Sequence, residues 1–122
     1  MSGINSMKDN PIQAQKSVLN KLIEALKKTK YGQEHDFRFR SSPFFESHFR
    51  TQIPIRTYDE IKPWILRARE GELDVLWPGE VSWFAKTSGT TSDRSKILPV
   101  TKESLKSNHY KGGRDLLAMF CD

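Results

Sequence analysis

Residues 87–96, TSGTTSDRSK, are dense in groups that can bind an anion, because they combine six hydroxyl side chains, one glycine and two cations. Phosphate binding requires several donors, small side chains that let oxygen atoms approach the backbone, and one or two positive charges. This segment supplies all of them. The same residue types are also common in surface turns, so composition leaves both interpretations open. The hydroxyl residues are Thr87, Ser88, Thr90, Thr91, Ser92 and Ser95, and Gly89, Arg94 and Lys96 supply the glycine and the cations.

The glycine spacing distinguishes this segment from two common phosphate-binding loops. A Walker A loop has the pattern GxxxxGK[ST] and leads directly into a helix, and a dinucleotide-binding turn has three spaced glycines. Here Gly89 stands alone, and KILPV after the loop predicts a strand. Neither of the two patterns fits.

The flanking residues predict that the segment is the loop of a β-hairpin. VSWFAKT before it and KILPV after it are rich in aromatic and β-branched residues, which favour strands. Thr101 then predicts the N-cap of a helix over KESLKSNHYKGGRDLLAMF. Within that helix, Gly112-Gly113 predicts a kink or a close contact with another backbone or a ligand.

Two helices are predicted in the part of the chain before Thr57. Asn10-Pro11 reads as an N-cap and first-turn proline, and the apolar residues that follow at three- and four-residue steps predict a helix. Tyr31-Gly32 is expected to end it, with Gly32 in the left-handed conformation. Ser42-Pro43 predicts a second, short helix that carries Phe45 and Phe49.

Residues 57–79 contain three further local signals. Thr57 and Glu60 have the spacing of a capping box. Pro63 would remove a helical hydrogen bond, so we expect a short turn to end near Lys62 and another helix to start at Pro63 and stop at Gly71. Pro78-Gly79 fits the central positions of a type II turn.

Composition limits the function classes without choosing one. The chain has 122 residues, of which 36% are hydrophobic, and a net charge of +5. The single cysteine, Cys121, excludes an internal disulfide and a multi-cysteine metal site. No stretch has the apolar core of a signal peptide or the length of a membrane span, so we expect a cytoplasmic protein that does not bind membranes.

The basic balance leaves a different class of function open, that of a small module that binds nucleic acid or another polyanion. Phenylalanines alternate with arginines in HDFRFRSSPFFESHF, and aromatic and basic side chains together can bind single strands. The basic residues are nevertheless scattered among acids, as in EALKKTK, which is typical of a solvated surface. A module that binds nucleic acid or another polyanion is therefore kept as the alternative to a phosphate-binding loop. An inactive truncated copy of a longer protein is a further alternative.

TSGTTSDRSK followed by ILPVT resembles the phosphate-binding motif of adenylate-forming enzymes, and more closely that of the auxin-responsive Gretchen Hagen 3 family of acyl acid amido synthetases. Further segments of this chain look like bacterial members of that family. They are PIQAQKSVLNKLI, YGQEHDF, IPIRTYDEIKPWI, LWPGEVSWFAKTSGTTSDRSKILPVTKESL and NHYKGGRDLL.

The resemblance implies a ligase that uses ATP and Mg²⁺ to join a carboxylic acid to AMP, releases pyrophosphate, and passes the acyl group to an amine, commonly that of an amino acid. It implies an α/β fold in which N-terminal helices precede a β-hairpin phosphate loop and a helix. Residues 1–122 would form an incomplete part of the large N-terminal adenylation domain, with the C-terminal remainder absent. We therefore expect the chain by itself not to complete adenylation.

The resemblance also carries residue roles, but it leaves the catalytic residues unknown and assigns no metal ligand. The nucleotide phosphates would be bound by Thr87, Ser88, Gly89, Thr90, Thr91, Ser92 and Lys96. Many plant members have a small residue, often glycine, in place of Asp93, which adds negative charge beside the proposed anion site. The family's acyl pocket draws on helices after the loop. His109, Tyr110 and Arg114 are the candidates to contact the acyl substrate, although the same residues fit a solvated helix.

Overall fold

The computed structural model describes residues 8–35, 45–88 and 95–120. Within these ranges it contains helices and one two-stranded antiparallel sheet, as the mixed fold class predicted. None of the described helices has the length and apolar character needed to cross a bilayer. The helices are α1 (Pro11–Leu26), α2 (Lys30–Glu34), α3 (Phe45–Gln52), α4 (Tyr58–Arg69), α5 (Lys102–Ser104), a π-helical segment (Leu105–Tyr110) and α6 (Lys111–Phe120), and the strands are β1 (Trp83–Lys86) and β2 (Ile97–Val100).

The helix predicted from Pro11 to Tyr31 is two helices, and Thr29 separates them. Pro11 does occupy the first turn of α1, but the Asn10 side chain makes no capping hydrogen bond in the described structure. Thr29 takes an extended conformation and caps α2, because its hydroxyl accepts the Gly32 N–H at 3.0 Å and donates to the Leu26 carbonyl at 2.7 Å. The predicted helix end at Tyr31-Gly32 was therefore wrong.

Gly32 is required for close packing and not for a left-handed turn. It lies inside α2, where a Cβ atom would overlap the carbonyl oxygen of Leu26. The bend at Thr29 brings the end of α1 against the start of α2, and only a residue without a side chain fits between them. A sequence pattern shows that a glycine is present but does not distinguish these two reasons for it.

The core forms where α2 meets the segment that follows α4. The backbone N–H groups of Lys30 and Tyr31 donate to the carbonyls of Asp74 and Val75 at 2.6 and 3.1 Å. Burial of apolar side chains around this junction supplies the main driving force for folding. The buried apolar residues in the described ranges are Ile23, Tyr31, Ile65, Ala68, Val75 and Val81.

An aromatic and ionic cluster supports the same junction. The Tyr31 and Trp64 rings meet edge to face with centroids 5.1 Å apart, and the Arg67 guanidinium lies 4.6 Å from the Trp64 ring. Arg67 donates two hydrogen bonds to the Glu72 carboxylate at 2.7 and 2.8 Å, and Lys30 donates a third at 2.8 Å. These charge-assisted bonds lower the pKa of Glu72 from 4.5 to about 2, with Arg67 the larger cause.

Helix α4 begins at the predicted capping box but continues through Pro63. The Glu60 N–H donates to the Thr57 hydroxyl at 3.4 Å, and the Thr57 N–H donates to the Glu60 carboxylate at 2.7 Å. The predicted break at Pro63 was wrong. Proline removes only the bond to the Asp59 carbonyl, and Asp59 is exposed to water that can replace it. Burial of Ile65 and Ala68 on the far side of Pro63 stabilises the helix as one unit.

Helix α3 and the turns also match the sequence predictions where they are described. Helix α3 covers the predicted short helix, and its proposed cap at Ser42-Pro43 lies outside the described residues. Gly79 has φ of +85°, as the second central residue of a type II turn requires. The Asp74 carboxylate accepts the Gly79 N–H at 2.6 Å, which closes the segment between α4 and β1.

The predicted hairpin and the helix after it are confirmed. Strand β1 pairs with β2 from Trp83 opposite Val100 to Lys86 opposite Ile97. The Thr101 hydroxyl accepts the Ser104 N–H at 3.0 Å and so caps α5.

The close backbone contact predicted for Gly112-Gly113 is wrong for the described structure, where nothing lies within 4 Å of a Cβ at either glycine. The winding changes just before them, in the π-helical segment.

We expect Gly32→Ala to destabilise the chain by about 1–3 kcal/mol, as overpacking of a tight contact does. The measurement is the free energy of unfolding in urea. Gly112→Ala is the matched control, because a helical glycine with open space around it should gain up to about 1 kcal/mol on replacement by alanine. Equal stability of the two variants would show that the close approach at Gly32 does not constrain the fold.

Acid should weaken the fold through Glu60 and Glu72. Hydrogen bonds from Thr57 and then Arg56 lower the pKa of Glu60 from 4.5 to about 2, as the cluster does for Glu72. Because the unfolded chain binds these protons more readily, their stabilising contribution is complete above pH 4.5 and is lost as the pH falls towards 2. Urea unfolding between these limits should show a steeper pH dependence for the wild type than for Glu72→Gln. Substitution of the exposed Glu70 by glutamine is the control, and an equal slope in Glu72→Gln would contradict the assignment.

Candidate functional site

The candidate loop has a neck, defined here as Thr87, Lys96 and Ile97, that the structure places in detail. The Thr87 N–H donates to the Lys96 carbonyl at 2.9 Å, and the Lys96 N–H donates to the Thr87 hydroxyl at 3.0 Å. These two bonds extend the hairpin one residue pair beyond the strands. Thr87 therefore closes the neck through its hydroxyl oxygen, while the hydroxyl hydrogen can still be donated to an anion.

Most of the predicted phosphate ligands lie beyond this neck. Gly89, Thr90, Thr91 and Ser92 lie outside the described residues, as does Asp93, so their predicted roles stay predictions. The described members are Thr87, Ser88 and Lys96. Ser88 is exposed and Lys96 is half-buried, so the structure brings a hydroxyl, a cation and the closed neck to the same end of the hairpin.

Tyr58, the first residue of α4, also holds the neck. Its hydroxyl accepts the Ile97 N–H at 2.9 Å and lies 3.3 Å from the Ile97 carbonyl, to which it donates. The Lys96 ammonium lies 5.6 Å from the centroid of the Tyr58 ring. This contact was not predicted from the sequence. Tyr58 is 39 positions from Ile97, and a tyrosine at the start of a helix is not in itself a signal of such a contact.

The donors at this end of the hairpin suit a polyphosphate. Hydroxyl groups and an ammonium group can bind phosphate oxygens, and lysine acts as a point charge that does not require planar geometry. Within the described ranges there is no group of three or more His, Cys, Asp or Glu residues that could hold a metal ion. Mg²⁺ commonly binds through substrate phosphates together with one or two carboxylates. The hydroxyl and ammonium donors of this end of the hairpin are therefore suited to phosphate oxygens.

The three acyl-substrate candidates lie on the helix after the hairpin. His109 and Tyr110 end the π-helical segment, and Arg114 is in the first turns of α6. All three are exposed, and the Arg114 guanidinium lies 3.6 Å from the Asp115 carboxylate. The structure thus places the three candidates on one continuous helical stretch. None of them belongs to the hairpin that carries the loop neck. The same stretch exposes the apolar side chains of Leu116, Leu117, Met119 and Phe120.

A groove between α1 and α3 is separate from all the predicted site residues. It has a volume of about 330 Å³, and its walls are mainly apolar, with cationic side chains from both helices. Neither the loop neck nor the helix after the hairpin contributes to it. Its lining residues are Gln15, Lys16, Val18, Leu19, Leu22, Phe49 and Arg50.

Comparison with known proteins identifies the family of this fold. The GH3 family N-terminal domain matches residues 1–121. Indole-3-acetic acid-amido synthetase GH3.2 of Arabidopsis thaliana is 27% identical over 103 residues, which cover 84% of this chain and 18% of the relative. The 4-substituted benzoates-glutamate ligase GH3.12 of the same plant is 31% identical over 99 residues, which cover 80% of this chain and 15% of the relative. Jasmonoyl-L-amino acid synthetase JAR6 of Nicotiana attenuata is 29% identical over 94 residues, which cover 76% of this chain and 16% of the relative.

The helices, the hairpin and this match define an N-terminal domain region of mixed helix and sheet. The chain belongs to the GH3 family, and the Gretchen Hagen 3 resemblance noted from its sequence is confirmed. It spans less than a fifth of the length of these relatives.

Proposed function

We propose that this chain is the first part of an ATP-dependent acyl acid amido synthetase and that its hairpin loop binds the nucleotide phosphates. The observation that carries the proposal is the closed neck, in which Thr87 and Lys96 are joined by two hydrogen bonds at the base of a hydroxyl-rich loop. These bonds fix the Lys96 backbone, so its cationic side chain starts directly beside the hydroxyl-rich loop. The family match and the names of the relatives support the same class of enzyme.

The contribution of this chain would be to position the phosphates and balance their charge. ATP supplies the adenylyl group that turns a carboxylate oxygen into a good leaving group, and Mg²⁺ would accompany its phosphates. The Lys96 ammonium and the Ser88 hydroxyl would contact phosphate oxygens, and the neck would hold these donors in place before the nucleotide binds. Donors fixed in advance stabilise developing negative charge more effectively than mobile ones.

The substrates proposed for the whole enzyme are a small carboxylic acid and an amino acid or other amine. The relatives are named for indole-3-acetic acid, substituted benzoates and jasmonate, all of them organic acids. In this proposal His109, Tyr110 and Arg114 face the acyl substrate, and Arg114 could pair with a carboxylate through two parallel hydrogen bonds. Its neighbour Asp115 would compete for the guanidinium.

Binding of MgATP to the 122-residue chain tests the loop assignment. We expect weak binding, with a Kd on the order of millimolar, because one loop supplies only a few kcal/mol of interaction. In an amide NMR titration, the resonances of Thr87, Ser88 and Lys96 should shift on addition of MgATP. Lys96→Ala should raise the Kd about tenfold, since it removes a charge-assisted contact. Lys86→Ala is the matched control, because Lys86 is an exposed lysine on β1.

Three outcomes would contradict this assignment, two of them seen directly in the binding experiment. One is the absence of shifts at the neck, and the other is an equal loss of affinity in Lys96→Ala and Lys86→Ala, which is the behaviour of a general polyanion surface. A steep fall in affinity with salt, without preference for ATP over other polyanions, would also favour the nucleic-acid alternative.

Pyrophosphate exchange tests the enzyme class in a GH3-length polypeptide that begins with this chain. Exchange between ATP and pyrophosphate should depend on an added carboxylic acid, because adenylation is reversible. Gly89→Val combined with Lys96→Ala should lower it at least about tenfold, which corresponds to about 1.4 kcal/mol. Undiminished exchange in the double variant would exclude the loop from the nucleotide site.

A further inference from the structure

We propose that Tyr58 is a positioning residue for the phosphate loop, acting on Lys96 from outside the loop. Its hydroxyl fixes the backbone of Ile97, and its ring faces the Lys96 ammonium. The inference rests on the phosphate-binding function proposed above and adds a residue that neither the loop sequence nor the family resemblance assigns. It concerns only the described neck and α4.

The hydrogen-bond pattern of the hairpin explains why Tyr58 can hold Ile97. In an antiparallel pair, residues that exchange backbone hydrogen bonds alternate with residues whose N–H and C=O groups point away from the partner strand. Thr87 and Lys96 are bonded across the hairpin, so Ile97, opposite Lys86, presents its backbone groups to the outer edge of β2. Such edge groups need a partner.

One phenolic hydroxyl satisfies both of these edge groups. A tyrosine hydroxyl can donate one hydrogen bond while it accepts another. Tyr58 accepts from the Ile97 N–H at 2.9 Å and donates to the Ile97 carbonyl at 3.3 Å. It thereby replaces the third strand that the two-stranded sheet lacks at this point, and it fixes the residue directly after Lys96.

Tyr58 can act as an anchor because its own position is fixed. It is the first residue of α4, and the preceding Thr57 forms the capping box with Glu60. Further along α4, Ile65 and Ala68 are buried in the core. A residue on such an element is held more accurately than one in a loop. The buried residues of α4 therefore fix Tyr58, and Tyr58 in turn fixes the neck.

The Tyr58 ring gives the contact its link to phosphate binding. Its centroid lies 5.6 Å from the Lys96 ammonium, within the range of a cation–π interaction. A lysine side chain has many rotamers, and ordering them on binding costs free energy. The bonds to Thr87 and the fixed Ile97 hold the Lys96 backbone, and the ring attracts its ammonium. The contact therefore favours rotamers that keep the positive charge at the neck.

The test uses Tyr58→Phe in the 122-residue chain, with MgATP as the ligand and amide NMR as the readout. Loss of the hydroxyl should accelerate hydrogen exchange at the Ile97 amide and raise the Kd for MgATP about three- to tenfold, the range expected for a lost hydrogen bond or two. The thermal unfolding midpoint should change little. Ser82→Ala is the control, because it removes an exposed hydroxyl at the end of the hairpin farthest from the neck.

A second variant separates the ring from the hydroxyl. Tyr58→Leu removes both, so its Kd should exceed that of Tyr58→Phe by a further factor of about two to five, as the loss of an exposed cation–π contact implies. Equal Kd values in the two variants would overturn the role assigned to the ring.

The remaining outcomes distinguish this inference from the proposed function. A wild-type chain that binds MgATP together with a Tyr58→Phe variant that binds equally well would overturn the positioning role and leave the loop assignment intact. A wild-type chain that does not bind MgATP would instead overturn the loop assignment on which the inference rests. Loss of affinity accompanied by a matching fall in the unfolding midpoint would make Tyr58 a structural residue only and would also overturn the inference.

Discussion

The fold depends on one fully buried polar side chain, the Thr29 hydroxyl. A buried hydroxyl without partners would cost about 1–3 kcal/mol, and here it both donates to Leu26 and accepts from Gly32. The turn it stabilises directs α2 onto the segment after α4, where backbone hydrogen bonds to Asp74 and Val75 follow. Two of the buried apolar residues, Ile23 and Tyr31, lie on the two helices that this turn joins, so their burial depends on its geometry.

From this junction, a series of contacts extends to the candidate site. The core fixes α4 through Ile65 and Ala68, and the capping box fixes the start of the same helix. Tyr58 lies at that start and contacts the hairpin where the loop begins. On the other side, the Trp77 indole donates to the Glu103 carboxylate at 3.0 Å, which ties the turn before β1 to the helix after β2. The small core can therefore position the hairpin that carries the candidate site, although the hairpin contributes little to the core itself.

Local signals in the sequence predicted much of the fold and part of the site. The capping box of α4, the turn at Pro78-Gly79 and the pairing of two strands around the loop were all correct, because each depends on residues close together in the chain. The errors at Gly32 and Pro63 have a common cause. Both predictions used the residue's intrinsic preference, and the packing around each position outweighed it. The loop was assigned from its composition and order, whereas the closed neck beneath it became apparent only from the paired strands.

The sequence by itself determined the family and the local hydrogen-bonded units, since caps and turns form between residues a few positions apart and the two hairpin strands follow each other in the chain. The tertiary structure decided which of these units meet. The bonds from Lys30 and Tyr31 to Asp74 and Val75 join residues 44 positions apart along the chain, and those from Tyr58 to Ile97 join residues 39 positions apart. No local pattern encodes such pairs, because they exist only after the chain has buried its apolar residues and brought distant backbone groups within hydrogen-bonding distance. The support of the hairpin neck by α4 is a property of that packing.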